Sequence, residues 1–184
     1  GSELEGKVDI YLGAMSPRML QLAGKTADGV LPLLFPPERY VEARAHVIKG
    51  ASGAGRDESS IDIAACIWAS ISTDRDEATG ALARKIAYFG PSFAPHVLEG
   101  IGLKSEDLIP ARTAIVAGDE EGAVRALPSA ALRLGIAGNV DDVIGRIGGL
   151  LDAGATHISF GPPLGPDPRV ALELLCSDVV RSLR

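Results

Sequence analysis

The sequence predicts an α/β protein with a parallel sheet. Short runs of aliphatic and β-branched residues alternate with longer segments in which apolar residues recur at helical spacing. Strands that alternate with helices imply parallel pairing through right-handed crossovers. With 184 residues, 46% of them hydrophobic, the chain can form one domain or part of a larger one.

The amino-terminal half predicts two strand–helix units. Residues 8–14 form a β-rich run, and the serine and proline at 16 and 17 are typical of a helix start. Residues 29–34 are apolar throughout, as in a strand covered on both faces, but Pro32 predicts a bulge or an early end. A second helix opens at Pro36 and should end in the glycine-rich loop of residues 50–55.

The longest predicted strand is residues 61–72, and Asp74 starts the helix that follows it. Residues 90–137 then break the alternation. They contain helical pieces and no convincing strand, so we expect an α-helical insertion. After it, Asn139 should cap a helix that ends near residue 153, and residues 156–161 read as the last strand.

The last strand is followed by Gly161-Pro162-Pro163-Leu164-Gly165, which we expect to be a rigid loop. Asp167 and Pro168 then repeat the cap-plus-proline signal of a final helix.

Composition excludes several functions. The net charge of −6 and the lack of a basic block make nucleic acid an unsuitable partner. No apolar run is long enough to cross a membrane, and the first residues carry no signal peptide. Cys66 and Cys176 lack CxxC spacing, which indicates reduced thiols in a cytoplasmic protein. The three histidines have no ligand spacing, so we expect no metal.

Three stretches resemble the bacterial-luciferase-like superfamily. Residues 11–31, YLGAMSPRMLQLAGKTADGVL, resemble the fifth barrel strand of that family and the loop and helix after it. Residues 61–78, IDIAACIWASISTDRDEA, are similar to its seventh strand, and residues 139–175 to its eighth βα unit. Within the superfamily the chain looks most like deazaflavin-dependent reductases, such as methylenetetrahydromethanopterin reductase.

The resemblance implies a parallel (β/α) half-barrel. Residues 1–184 would correspond to strands five to eight of a TIM barrel, which has eight such units, with 90–137 inserted before the last one. Such a half-barrel exposes two sheet edges and an apolar face. We therefore expect it to pair, either as a homodimer or with the missing amino-terminal half.

The resemblance also implies a cofactor and its site. The cofactor would be coenzyme F420, alternatively FMN, and the cofactor-side residues would be Gly13, Ala14, Met15, Ser16 and Pro17. Independently of the family, a helix start after a glycine suits an anionic ligand, although a plain capped turn has the same sequence. Gly161 and Pro162 could also contact the ligand, but a rigid rim fits them as well.

Other candidates are better explained by packing. We expect Trp68 to be buried, and Leu33 and Leu34 to form part of the wall of the site. His157, at the start of its strand, should have a structural role. No catalytic acid, base or nucleophile motif occurs. The function implied is hydride transfer to or from a small-molecule substrate. An FMN-dependent monooxygenase, or a non-catalytic half-barrel that binds a phosphate-bearing ligand or a partner, is the alternative.

Overall fold

The computed structural model describes residues 8–183, which form a five-stranded parallel sheet with helices packed on it. This confirms the parallel α/β architecture. The strands are β1 (Tyr11–Gly13), β2 (Gly29–Leu31), β3 (Asp62–Ile71), β4 (Ile136–Gly138) and β5 (His157–Leu164). The helices are α1 (Pro17–Thr26), α2 (Tyr40–Gly53), α3 (Arg75–Phe89), α4 (Pro95–Glu99), α5 (Ile109–Val116), α6 (Glu120–Ala126), α7 (Val140–Asp152), α8 (Pro168–Leu174) and α9 (Val180–Ser182), and a π-helical turn, Leu175–Val179, joins the last two.

The long strand β3 organises the sheet. Cys66 pairs with Leu33 and with Ser159, so the chain after β2 and strand β5 lie on opposite edges of β3. Ser70 likewise lies between β4 and β5. Strands β2 and β4 therefore share one edge of β3, one near its start and the other near its end.

Four predicted helix starts, those of α1, α3, α7 and α8, are confirmed, whereas the helix expected at Pro36 begins with a 3-10 turn, Pro37–Arg39, and becomes α-helical at Tyr40. Asn139 Oδ1 accepts the backbone N–H of Asp142 at 3.0 Å, and the Asp142 carboxylate accepts the N–H of Asn139 in return. Asp167 accepts two backbone N–H groups at the start of α8, and Asp74 does the same for α3. At α1, Ser16 Oγ accepts the backbone N–H of Met19 at 3.4 Å, which makes this the weakest of these caps.

The expectation that residues 90–137 contain no strand is wrong at their end, where Ile136–Gly138 forms β4. Its three residues pair with Ala69, Ser70 and Ile71 at the end of β3. A strand of three residues, the last of which is Gly138, is too short for an alternation to show in the sequence.

The expectation that residues 161–165 form a loop is also wrong, because β5 continues to Leu164. The pairing shifts register between Trp68 and Ser70 of β3, which makes room for the two prolines. Proline cannot donate to a strand ladder, but it fits an edge strand or a bulge. Pro162 and Pro163 occupy such a place and are joined by a cis peptide bond.

The glycine-rich stretch 50–55 is only partly a loop, since α2 runs to Gly53. A Cβ on Gly50 would collide with the backbone of Gln21, and one on Gly24 with the backbone of Val47. These glycines let α1 and α2 pack with their backbones close together. They are thus interface residues, which the sequence pattern alone does not distinguish from a turn.

The ends of the first two strands also differ from expectation. Strand β1 begins at Tyr11 rather than at residue 8, and Val8 and Ile10 are exposed. Strand β2 ends at Leu31, which confirms the early end that Pro32 predicts.

The two faces of β3 have different surroundings. Ile63, Ile67 and Ile71 on one face pack against α1, α2, α7 and α8 in the main core. On the other face, Trp68 packs against α3 and the segment that follows it. The start of that second face is partly exposed, since the side chains of Asp62 and His157 there are 30% and 42% exposed, and we call it the open face.

Candidate functional site

A cavity of about 540 Å³ lies at the carboxyl ends of β1, β2 and the middle strand β3. Most of its wall comes from three segments: residues 15–17 after β1, residues 32–35 after β2, and residues 89–97 at the end of α3 and beyond. Leu20, Trp68 and the residues Arg39, Glu42 and Ala43 around the start of α2 complete it. Ligands of parallel α/β proteins bind at this end of the strands. The volume is in the range that holds a small organic ligand.

Aromatic rings make one wall of the cavity. The rings of Phe35 and Phe93 are stacked, with centroids 4.6 Å apart, and Trp68 meets Phe35 edge-on at 4.7 Å. Phe89 lies 6.0 Å from Trp68 and completes the cluster. Flat ligands stack on such surfaces, and the rings also exclude water.

A lysine borders the aromatic wall. Lys85 Nζ lies 4.6 Å from the centroid of the Trp68 ring and 5.5 Å from that of Phe89. Burial lowers the pKa of this ammonium from its ordinary value. The ammonium of Lys85 therefore makes a cation–π interaction with the electron-rich face of the indole ring, at 4.6 Å from its centroid.

The charged groups of the lining are Arg39, Glu42 and His96. Arg39 Nε donates to Glu42 Oε2 at 3.0 Å, and His46 Nε2 lies 3.9 Å from the other oxygen. This hydrogen bond from Arg39, with its charge and that of the histidines, lowers the pKa of the Glu42 carboxyl. The carboxylate is therefore ionised at neutral pH and fixes the guanidinium.

Three of the residues expected on the cofactor side, Met15, Ser16 and Pro17, line the cavity. Gly13 ends β1 with open space around it, and Ala14 is buried in the main core; neither is part of the lining. Their assignment to a cofactor stays a prediction.

Gly161 and Pro162 do not line this cavity either. Gly161 pairs with Trp68, and a Cβ on it would press on Ile67 and on the indole. Gly161 therefore packs closely against Trp68, a residue of the aromatic wall, from the neighbouring strand β5. Contact of the two residues with a ligand stays a prediction.

Trp68, Leu33 and Leu34 are wall residues of the cavity, and Trp68 is 8% exposed. The tryptophan is thus both packed, as expected, and part of the site. Ser70, two residues further along β3, is buried and donates to the carbonyl of Ala78 at 2.6 Å. It is a structural residue.

Sequence reasoning missed Phe35, Phe93, Arg39, Glu42 and His96. They come from the turn after β2, the start of α2 and the predicted insertion, and only tertiary packing brings them together. One available signal was the FPPER stretch, in which an aromatic residue and an arginine flank prolines directly after an apolar strand.

His157 begins β5 at the amino end of the sheet, as expected. Its Nδ1 lies 2.7 Å from Asp62 Oδ2, which also accepts the hydroxyl of Tyr11 at 2.9 Å. This network joins β1, β3 and β5 across the open face, at the end of the strands opposite to the cavity.

No three His, Cys, Asp or Glu side chains between residues 8 and 183 are grouped as metal ligands. In the same part of the chain no helix has the length and apolar character needed to span a membrane.

Parallel strands, helical crossovers and a cavity at the carboxyl ends define the class of α/β proteins that bind small molecules at that end of the sheet. The particular family follows from sequence. A family model described as luciferase-like monooxygenase matches residues 3–157, and the chain belongs to this family.

Relatives within the family are known. The chain is 34% identical over 185 residues to 5,10-methylenetetrahydromethanopterin reductase of Archaeoglobus fulgidus, a match that covers 97% of this chain and 55% of the relative. It is 30% identical to an F420-dependent glucose-6-phosphate dehydrogenase of Rhodococcus erythropolis, covering 98% of this chain and 50% of that enzyme.

A solved structure agrees with this. The coenzyme F420-dependent tetrahydromethanopterin reductase of Methanopyrus kandleri superposes with a TM-score of 0.87 at 34% identity, over 96% of this chain and 51% of the reductase. The chain spans about half the length of the relatives it matches.

Proposed function

We propose that this chain is part of an F420-dependent oxidoreductase that transfers a hydride to or from a small-molecule substrate. The observation that carries the proposal is the aromatic cavity at the carboxyl ends of β1–β3, with the Met15–Pro17 loop on one side. The similarity to F420-dependent enzymes supports it.

The residues present fit a deazaflavin. The cavity has the volume for a flat ring system, and Phe35, Trp68 and Phe93 contribute aromatic surface to its lining. The start of α1 adds the positive end of a helix dipole for an anionic group. When bound, the deazaflavin carries the hydride between its ring and a substrate carbon.

The contribution of the chain's own residues is binding and exclusion of water. Met15, Ser16 and Pro17 bring backbone close to the ligand, and the aromatic rings keep the cavity dry. We propose that Gly13, Ala14, Gly161 and Pro162 complete the cofactor side. The first substrate to test is methylenetetrahydromethanopterin, the compound named in the reductases to which the chain is similar.

We propose further that a second half-barrel covers the open face. Tyr11 is 40% and Leu31 is 39% exposed, values high for strand residues at a sheet that elsewhere is packed on both sides. Among the described strands, β1 pairs only with β2 and β5 only with β3, which leaves two open edges. The cover is an amino-terminal half-barrel or a second copy of this chain.

The proposal about the cover has its own experiment, which is sedimentation of the purified chain. A dimer supports the second copy. If the dimer dissociates when an amino-terminal half-barrel is added, the amino-terminal half is the cover. A monodisperse monomer that does not bind the added half contradicts both possibilities.

Ligand titration tests the proposed function. Trp68 is the single tryptophan of the sequence and lies in the cavity wall, so its fluorescence reports occupancy. We expect coenzyme F420 to quench it with a saturable curve that calorimetry reproduces, and FMN to bind more weakly. Preference for FMN would move the protein to the flavin-dependent branch. Binding of neither would overturn the cofactor role of the cavity and favour a non-catalytic half-barrel.

A further inference from the structure

One end of Arg39 in the cavity wall has no partner among the described residues. Its Nε is committed to Glu42 at 3.0 Å, and within residues 8–183 the two Nη groups make no hydrogen bond or ion pair. The side chain as a whole is 28% exposed, and none of its unpaired donor atoms is fully buried, so a ligand in the cavity can reach them. A guanidinium has five donors in a planar fork, and here most of them remain available.

The surroundings make this end a selective anion binder. The rest of the lining is mostly aliphatic and aromatic, and it contains no lysine and no other arginine among the described residues. A charge-assisted hydrogen bond is stronger in such surroundings than at an open surface. Glu42 does not cancel this end of the guanidinium, because it occupies the Nε side and leaves the Nη pair for a second, bidentate partner.

A purely structural ion pair explains the arrangement less well. An exposed pair three residues apart on a helix start contributes little to stability. The Glu42 side chain is 51% exposed and could pair with the guanidinium outside the cavity, yet both residues belong to the lining. His96 also lines the cavity and is close enough to Glu42 to help lower the pKa of that carboxyl.

We infer that Arg39 anchors an anionic group, a phosphate or a carboxylate, on the side chain of the ligand whose ring stacks on Trp68 and Phe93. Glu42 is the positioning residue that holds the guanidinium in place. This inference rests on the proposed function and goes beyond it, since it assigns the anionic part of the ligand to one side chain. It also sets the ligand's direction, with the ring at the aromatic wall and the anion at the start of α2.

Calorimetric titration with three deazaflavins tests the inference: the ring with its ribityl chain alone, the same compound with a phosphate, and complete F420 with its carboxylates. We expect Arg39→Met to weaken binding of the anionic ligands by about tenfold to a hundredfold, the value of one or two charge-assisted hydrogen bonds. Binding of the uncharged compound should stay unchanged. The ligand at which the loss first appears identifies the group that Arg39 binds.

Three further variants separate anchoring from structure. Arg39→Lys should restore part of the affinity, because lysine keeps the charge without the fork. Glu42→Gln should weaken only the anionic ligands. Arg44→Met is the matched control, since Arg44 lies in the first turns of α2, directly after Arg39, pairs with Glu58 at 3.7 Å and is not part of the lining; it should change nothing.

Two results overturn the inference. Arg39→Met could weaken charged and uncharged ligands equally, which would make Arg39 a structural residue, or it could weaken neither. In both cases the wild-type chain still binds the deazaflavin, and the proposed function stands. Failure of the wild-type chain to bind any of the three compounds would instead refute the proposed function, and the anchor with it.

Discussion

The hydroxyl of Tyr11 in β1 donates a hydrogen bond of 2.9 Å to Asp62 Oδ2 in β3, and the tyrosine ring reaches it by passing over Gly29 of β2. Asp62 also meets His157 of β5, so one carboxylate links three strands across the open face. The absence of a side chain at Gly29 is what lets the ring lie flat on the sheet. Glycine in a strand often marks such a close approach.

Gly29→Ala should therefore destabilise the chain. A Cβ at residue 29 would overlap the ring of Tyr11, which must leave and break its contact with Asp62. We expect a loss of about 1–3 kcal/mol in the free energy of unfolding, as for other overpacked sites. Urea unfolding followed by circular dichroism measures it.

Gly145→Ala is the control for this variant, because Gly145 lies inside α7 with open space around it. Alanine should stabilise the helix there by about 0.5–1 kcal/mol. If Gly29→Ala unfolds at the same urea concentration as the wild type, the ring does not lie over residue 29 in solution.

The Tyr11–Asp62 contact also predicts a dependence on alkaline pH. The hydrogen bond to Asp62, together with neighbouring carboxylates, raises the pKa of Tyr11 above its ordinary value of 10.0 in the folded chain. The folded state therefore holds this proton more firmly than the unfolded state, and the stabilisation is complete below pH 10 and lost as pH rises through the folded pKa.

Tyr11→Phe removes this effect. Its free energy of unfolding should fall less steeply than that of the wild type above pH 10, and its ultraviolet titration should lack one late-ionising tyrosine. Parallel curves for the two proteins over that range would show that Tyr11 has no such bond.

The two cysteines should differ in reactivity. Burial raises the pKa of the Cys66 thiol, which is half-buried in β3, whereas Cys176 is exposed in the carboxyl-terminal helix. Since the thiolate is the reactive form, iodoacetamide at pH 8 should modify Cys176 first, by roughly tenfold or more. Peptide mass spectrometry over a time course gives both rates. Faster modification of Cys66 would contradict the packing of β3 against β5.

Phe93 should matter for ligand binding more than for folding. Its ring comes from the segment after α3 and closes the cavity by stacking on Phe35 at 4.6 Å. Phe93→Ala should weaken deazaflavin binding by about tenfold, from lost stacking and admitted water. Tyr88→Ala, an exposed aromatic residue next to the cavity but outside its lining, is the comparison. Equal affinities of the two variants would remove Phe93 from the site.

Local signals in the sequence were sufficient to predict where helices α1, α7 and α8 begin. Ser16, Asn139 and Asp167 sit directly before the segments they cap, so their roles depend on three or four neighbouring residues. The position of Pro32 was equally informative, because the missing N–H ends β2 wherever the strand packs.

Features that depend on distant contacts were beyond a single sequence. Strand β4 exists because the end of β3 offers it an edge, and Pro162 and Pro163 extend β5 because a register shift accommodates them. The cavity likewise depends on contacts between residues that are distant in the sequence. Met15 and Trp68 were named from their places after or late in a strand, but Arg39 and Phe93 reach the site through turns whose course the sequence does not encode locally.

A crystal structure of the chain with oxidised deazaflavin tests the central claim most directly. The account predicts electron density for the ring in the cavity, in van der Waals contact with Trp68 and Phe93 and beside the Met15–Pro17 loop. Density for the ring on the open face near Asp62, or an empty cavity in a crystal grown with saturating ligand, would contradict it.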